Sequence, residues 1–133
     1  MIILKMIPMI LPIFIVHIGV PIEIEKEEIE WLDFESTAYE PFCDSGCIGI
    51  TRTGYDVSNT IYYEDMRIIA VDPDVIPLHS IVEVKTDAEI FTAIALDTGE
   101  LIKGNIIDLL VETESEAWNW GRRNVKVRVI EDE

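Results

Sequence analysis

Apolar and polar positions in this chain alternate in short bursts rather than in long helical stripes. "SIVEVKT" (80–86) puts Val82 and Val84 on one side and Ile81, Glu83 and Lys85 on the other. "NVKVRVI" (124–130) sets Val125, Val127 and Val129 on one face. Period-two patterning is that of a half-buried strand, whose successive side chains point to opposite faces. "FESTAY" (34–39) alternates as well and is rich in strand formers. "RIIAVD" (67–72), "FTAIALD" (91–97) and "IIDLLV" (106–111) are short apolar runs that also read as strands. "DPDVIP" after the first of these reads as a turn, because proline fixes φ. One helix is predicted over "TESEAWNWG" (113–121), where Thr113 and Glu116 make a capping box and Gly121 suits the C′ position. Trp118 is expected to face the core and Trp120 to point elsewhere. Six short strands and one helix within residues 34–131 predict a mainly β domain closed as a small barrel, since closure removes the unpaired edges of a small sheet.

The first 22 residues break this pattern. "MIILKMIPMILPIFIVHIGVPI" carries one lysine, one histidine and no acid. A short basic start followed by an apolar stretch predicts a signal peptide or membrane anchor over 1–22. Pro8, Pro12 and Pro21 interrupt any helix there and no A-x-A-like cleavage site is visible, so a buried apolar arm is the alternative. Residues 23–33 form an acidic linker that separates this segment from the barrel domain.

Charge narrows the partners. The chain has 133 residues and a formal net charge of −16. No basic stripe exists to neutralise phosphates, which excludes nucleic-acid binding, and the acid opposes adsorption to an anionic membrane. Membrane contact is expected only through residues 1–22. Cys43 and Cys47 are the two cysteines, in "CDSGC". Export would favour a local disulfide between them, and two free thiols are the alternative. A zinc site would need more ligands than this pair, with His79 the nearest candidate, so no metal is expected.

Three acids stand at junctions between apolar runs and loops: Asp72 in "AVDPDVIP", Asp97 in "ALDTGE" and Asp108 in "NIIDLL". An apolar setting raises a carboxyl's pKa, and a second carboxylate nearby raises it further, which is how a general acid is made. Each acid could instead cap a turn. Asp108 fits that reading least, because Ile106, Ile107, Leu109 and Leu110 surround it. The triplet "DTG" also occurs in aspartic proteases, but a glycine-rich flap and a second apolar–Gly–Arg segment are both missing.

The longer pattern is more specific. "STAYEPFCDSGCIGITRTG" (36–54), "RIIAVDPDVIPLHSIVEV" (67–84), "ALDTGELIKGNIIDLL" (95–110) and "SEAWNWGRRNVKVRVI" (115–130) follow in this order. Together they resemble the three-aspartate (3D) domain of bacterial cell-wall and some phage proteins, a family similar to the catalytic barrel of membrane-bound lytic transglycosylase A. The resemblance implies a six-stranded double-psi β-barrel, an exported or envelope-associated protein and a peptidoglycan substrate. It matches Asp72, Asp97 and Asp108 to the family's three aspartates. The family's loop usually reads Asp-Thr-Gly-Gly-Ala-Ile-Lys-Gly; here Glu100 and Leu101 replace the second glycine and the alanine.

The activity so implied is lytic transglycosylation: cleavage of the MurNAc–GlcNAc β-1,4 bond with formation of a 1,6-anhydro end and no cofactor. Asp108 is the expected acid/base, Asp97 its neighbour that raises its pKa, and Asp72 an orienting residue. Thr37, Tyr39, Thr53, Gly99 and Lys103 are expected along the substrate groove. Arg122 and Arg123 suit the negative end of the helix dipole. A non-catalytic glycan-binding module, or a structural barrel in a phage or spore coat, are the competing expectations. The sequence leaves the oligomeric state open.

Overall fold

A computed structural model describes residues 19–22, 28–44 and 46–131. Most of the predicted signal or anchor segment, and the start of the acidic linker, lie outside these residues. Among the described residues no helix is long and apolar enough to cross a membrane.

Among the described residues, seven strands and one helix follow in order: β1 (Leu32–Tyr39), β2 (Tyr62–Tyr63), β3 (Met66–Ala70), β4 (Ile81–Lys85), β5 (Ile90–Asp97), β6 (Ile106–Leu110), α1 (Glu114–Trp120) and β7 (Arg123–Glu131). Their hydrogen-bonded order is β2-β3-β5-β4-β7-β1-β6, and a further β3–β6 pairing joins the ends. Six strands therefore close into a ring, as expected. The two-residue β2 is an addition that the sequence pattern did not reveal. It shares one edge of β3 with β6: Tyr62 and Tyr63 pair with Arg67 and Met66, whereas Leu109 and Asp108 pair with Ile69 and Ala70. Two parallel pairings, β1–β6 and β3–β5, stand among antiparallel ones, in agreement with a double-psi arrangement.

Alternate residues of these strands build two apolar layers. Ile69, Val82, Val84, Ala93, Ala95, Ile107, Leu109, Val125 and Val127 fill the barrel. Ile68, Ile94, Leu96 and Leu110 point outward and are covered by Val57 and Ile61 from the loop between β1 and β2. Burial on both faces explains why β3, β5 and β6 look like continuous apolar runs, whereas β4 and β7 alternate. Each buried Val, Leu or Ile side chain among these contributes on the order of 1.5–3 kcal/mol relative to exposure.

Thr113 caps α1 by accepting from the Glu116 amide, and Gly121 ends it by donating to the Ala117 carbonyl. The helix phase differs from expectation. Trp118 is 77% exposed, whereas Trp120 packs on the barrel core and its Nε1 donates to the buried Ser36 Oγ at 3.1 Å. Ala117 and Trp120, three residues apart, form the inward stripe of this short helix. Arg123 donates to the carbonyls of Asn119 and Trp120 at the helix end, while Arg122 instead forms an ion pair with Glu35.

Candidate active site

Four neighbouring strands set the site in a single row. Thr37 on β1 is the register partner of Asp108 on β6, and Asp108 is that of Ala70 on β3. Ala70 in turn pairs with Asp97 on β5. Two carboxylates thus flank one alanine, whose methyl group leaves the space between them open. Strand spacing puts their backbones roughly 10 Å apart.

A bulge makes this possible. Ala93 and Ala95 of β5 face the barrel interior, and strict alternation would send Asp97 the same way. The β3–β5 register shifts between Ile69 and Ala70, so that Ala95 pairs with Ile69 but Asp97 with Ala70. The extra residue turns Asp97 to the outer face, where Asp108 and Tyr39 lie. Bulges commonly re-aim a side chain in this way.

Asp97 and Asp108 line one cavity of about 710 Å3, together with Tyr39, Gly99 and Ala70. Glu40, Asp44, Glu100 and Glu114 also line it. One wall is the loop carrying Cys43 and Cys47, which are joined by a disulfide with Cα atoms 4.9 Å apart. Ile48 and Leu101 give the lip an apolar character, being 70% and 87% exposed. Gly99 allows the close turn after Asp97, since a Cβ there would stand 2.8 Å from Ile102.

The two acids differ in their partners. Asp97 accepts from Tyr39 Oη at 2.7 Å through Oδ2, and from the Arg52 and Thr98 amides at 2.8 and 2.9 Å through Oδ1. Among the described residues, Asp108 accepts one bond, from Thr37 Oγ1 at 2.8 Å. Burial pushes the Asp108 carboxyl up to about 6. The Thr37 hydrogen bond opposes that rise, the charge of Asp97 adds to it and Arg122 opposes it. Burial foremost, then the charge and hydrogen bond of Asp97, push the Tyr39 phenol far above its ordinary value, so it stays a donor at every working pH.

Asp72 stands apart. It does not line the cavity; its oxygens accept from the Gly104 amide at 2.8 Å and the Asp74 amide at 3.0 Å. Those two bonds, with a smaller contribution from Lys103, hold its carboxyl below the usual range. The carboxylate ties the turn after β3 to the loop before β6, and Gly104, at φ +74°, supplies the amide. Lys103 is exposed and is not part of the cavity wall. Thr53 lines a different cavity, beside Tyr63 and His79. The structure therefore brings together Asp97, Asp108, Thr37, Tyr39 and Gly99, and leaves Asp72, Lys103 and Thr53 outside the cavity. It adds Ala70 and the Arg52 amide. A small residue inside "RIIAVD" was a readable signal for the first; a backbone donor leaves none.

A closed barrel with two carboxylates sharing one open cleft in its wall defines the class of this molecule. Residues 67–131 match the 3D domain, and the chain carries a domain of that family. It is 59% identical over 92 residues to the SPbeta prophage-derived uncharacterized protein YorM of Bacillus subtilis, covering 69% of this chain and 39% of that protein. It is 45% identical to the putative cell wall shaping protein YabE and 43% to the cell wall-binding protein YocH of the same organism, covering 71% and 79% of this chain. It spans only 22% of YabE and 34% of YocH. Among solved structures, MltA from E. coli overlaps 50% of this chain and 24% of its own, at 24% identity and a TM-score of 0.42. The lytic transglycosylase LtgG of Burkholderia pseudomallei overlaps 60% and 25%, at 23% identity and a TM-score of 0.45. Overlaps this partial do not bear on activity.

Proposed function

We propose that this domain is a peptidoglycan lytic transglycosylase acting in the cell envelope or outside the cell. The observation that carries the reading is the shared cleft: a carboxyl that holds its proton up to about 6, Asp108, beside a second carboxylate fixed by three donors, Asp97. Relatives named for cell-wall shaping and binding support the substrate class.

In this reaction Asp108 donates its proton to the glycosidic oxygen as the bond to the anomeric carbon breaks. The charge of Asp97 faces the positive charge that develops there. The sugar's own C6 hydroxyl then attacks the anomeric carbon and gives its proton to Asp108, which restores the acid. Tethering raises the effective concentration of the nucleophile to on the order of 10⁵ M or more in good cases. No water needs activation, so one acid/base suffices, unlike the paired carboxyls of ordinary glycosidases. Tyr39 and Thr37 hold the two carboxylates, and Gly99 allows the close turn that follows Asp97.

The test is incubation of the full chain with purified peptidoglycan, followed by mass spectrometry. Release of 1,6-anhydro muropeptides is expected, and Asp108→Asn should abolish it with an unchanged circular dichroism spectrum. Reducing-end MurNAc would mean a hydrolase instead. A second reading is a glycan-binding module without turnover, favoured by the name of YocH and by the exposed Glu100 and Leu101 on the lip. It expects strand binding and no anhydro product.

A further inference from the structure

The turn Thr51–Gly54 touches the end of β5 at three points. The Thr53 amide and Thr53 Oγ1 both donate to the Leu96 carbonyl, at 3.2 and 2.8 Å, and the Arg52 amide donates to Asp97 Oδ1. Leu96 is the residue that the β3–β5 register passes over. Thr53 occupies its carbonyl from the loop side, and the side chain of Leu96 is buried at 3% exposure. A buried carbonyl without a donor costs roughly 1–3 kcal/mol.

The turn is itself braced. Thr51 is 4% exposed, its Oγ1 lies 3.0 Å from Thr53 Oγ1, and its amide donates to the Tyr55 carbonyl. Tyr55 returns a bond from its amide to Thr51 Oγ1, and the Gly54 amide donates to the Thr51 carbonyl. A closed set of bonds therefore fixes Thr53 Oγ1 against one backbone atom, the carbonyl next to Asp97.

We propose that Thr53 is a positioning residue: its hydroxyl and amide hold the β5 bulge that turns Asp97 toward Asp108. The activity attached to this role rests on the transglycosylase reading; the positional role does not. Thr53 touches neither carboxylate, so it acts only through Leu96 and the bulge. Without its hydroxyl, the bulge can relax toward regular alternation, which carries Asp97 away from the outer face. The groups facing Asp108 are Thr37 and the neutral Tyr39 phenol on β1, Asp97 on β5 and Arg122 after α1. Of the charged groups, Asp97 is the one whose strand carries the bulge.

Carbon-13 NMR titration of the Asp108 carboxyl in the full chain reads the effect without any substrate. Thr53→Val should lower the titration midpoint toward that of Asp97→Asn, because the nearby negative charge moves off. Thr53→Ser, which keeps the hydroxyl, should restore it. On an Asp97→Asn background, Thr53→Val should move the midpoint no further. Where cleavage is measurable, Thr53→Val should lower kcat on the order of tenfold with little change in KM. An unchanged Asp108 midpoint in a folded Thr53→Val protein would overturn the proposal, as would an equal additional shift on the Asp97→Asn background. Should Thr53→Val fail to fold, Thr53→Ala read against Thr53→Ser gives the same comparison. Absence of cleavage by the native chain would count against the enzyme reading alone.

Discussion

Asp72 and Asp108 are the same residue type, each placed where an apolar strand meets a change of environment, and they end in opposite chemical states. Asp72 looks out from a turn and collects two backbone amides, which favour its charged form. Asp108 sits in the barrel wall with a single hydroxyl donor, and burial favours its neutral form. A carboxylate tied by amides fastens two loops together. A carboxyl short of donors and water keeps a proton to give. Solvation and donor count, not position in a motif, separate fastener from acid.

The largest test of this contrast is loss of function. Asp108→Asn should lower anhydro-muropeptide release on the order of 10²–10⁴-fold, whereas Asp72→Asn should leave most of it. Equal losses by mass spectrometry would break the comparison. The pH dependence comes next. Because the acid must be protonated, kcat/KM should fall as pH rises through about 6. Thr37→Val removes the bond that favours the charged form, so the descending limb should move to higher pH. Asp97→Asn removes a like charge and should move it lower.

Stability gives a smaller effect. The folded protein raises the Asp108 value from 3.8 to about 6. Below about pH 4 the group is protonated in both folded and unfolded chains, and nothing is lost. Between about pH 4 and 6 the unfolded chain ionises while the folded one keeps its proton, so folding loses up to about 3 kcal/mol, in full once pH exceeds about 6. Asp108→Asn should therefore be more stable than the native chain in urea at pH 7 and equal to it near pH 4. The smallest effect belongs to Asp72. Its lowered value contributes stability above about pH 4 that fades as pH falls, so Asp72→Asn should be slightly less stable at pH 7 and indistinguishable in strong acid.

The six ring strands were legible because alternation and apolar runs record which faces are covered. The strand β2 was not, since two residues carry no period and its turn rests on Glu64 at φ 56°. The helix ends were legible from Thr113 and Gly121, but its phase was not. Seven residues give less than two full turns past the cap, too little for the pattern to decide between Trp118 and Trp120. Asp108 was legible as an acid among apolar neighbours. That Asp97 joins it, and that Asp72 does not, depended on strand register and backbone donors, which no side-chain pattern encodes. Thr53 was expected along the substrate groove; its hydroxyl donates to the Leu96 carbonyl and its side chain lines a different cavity.

The bulge in β5 gives the domain an unusual sensitivity to chain length. Removing Leu96 would restore a regular ladder and leave the acid on the outer face, directly after Ala95 and opposite Ala70, but it would delete a buried side chain and the carbonyl that Thr53 holds. The irregular stretch is therefore kept by what packs behind it, the Thr51–Gly54 turn, as much as by the acid it presents.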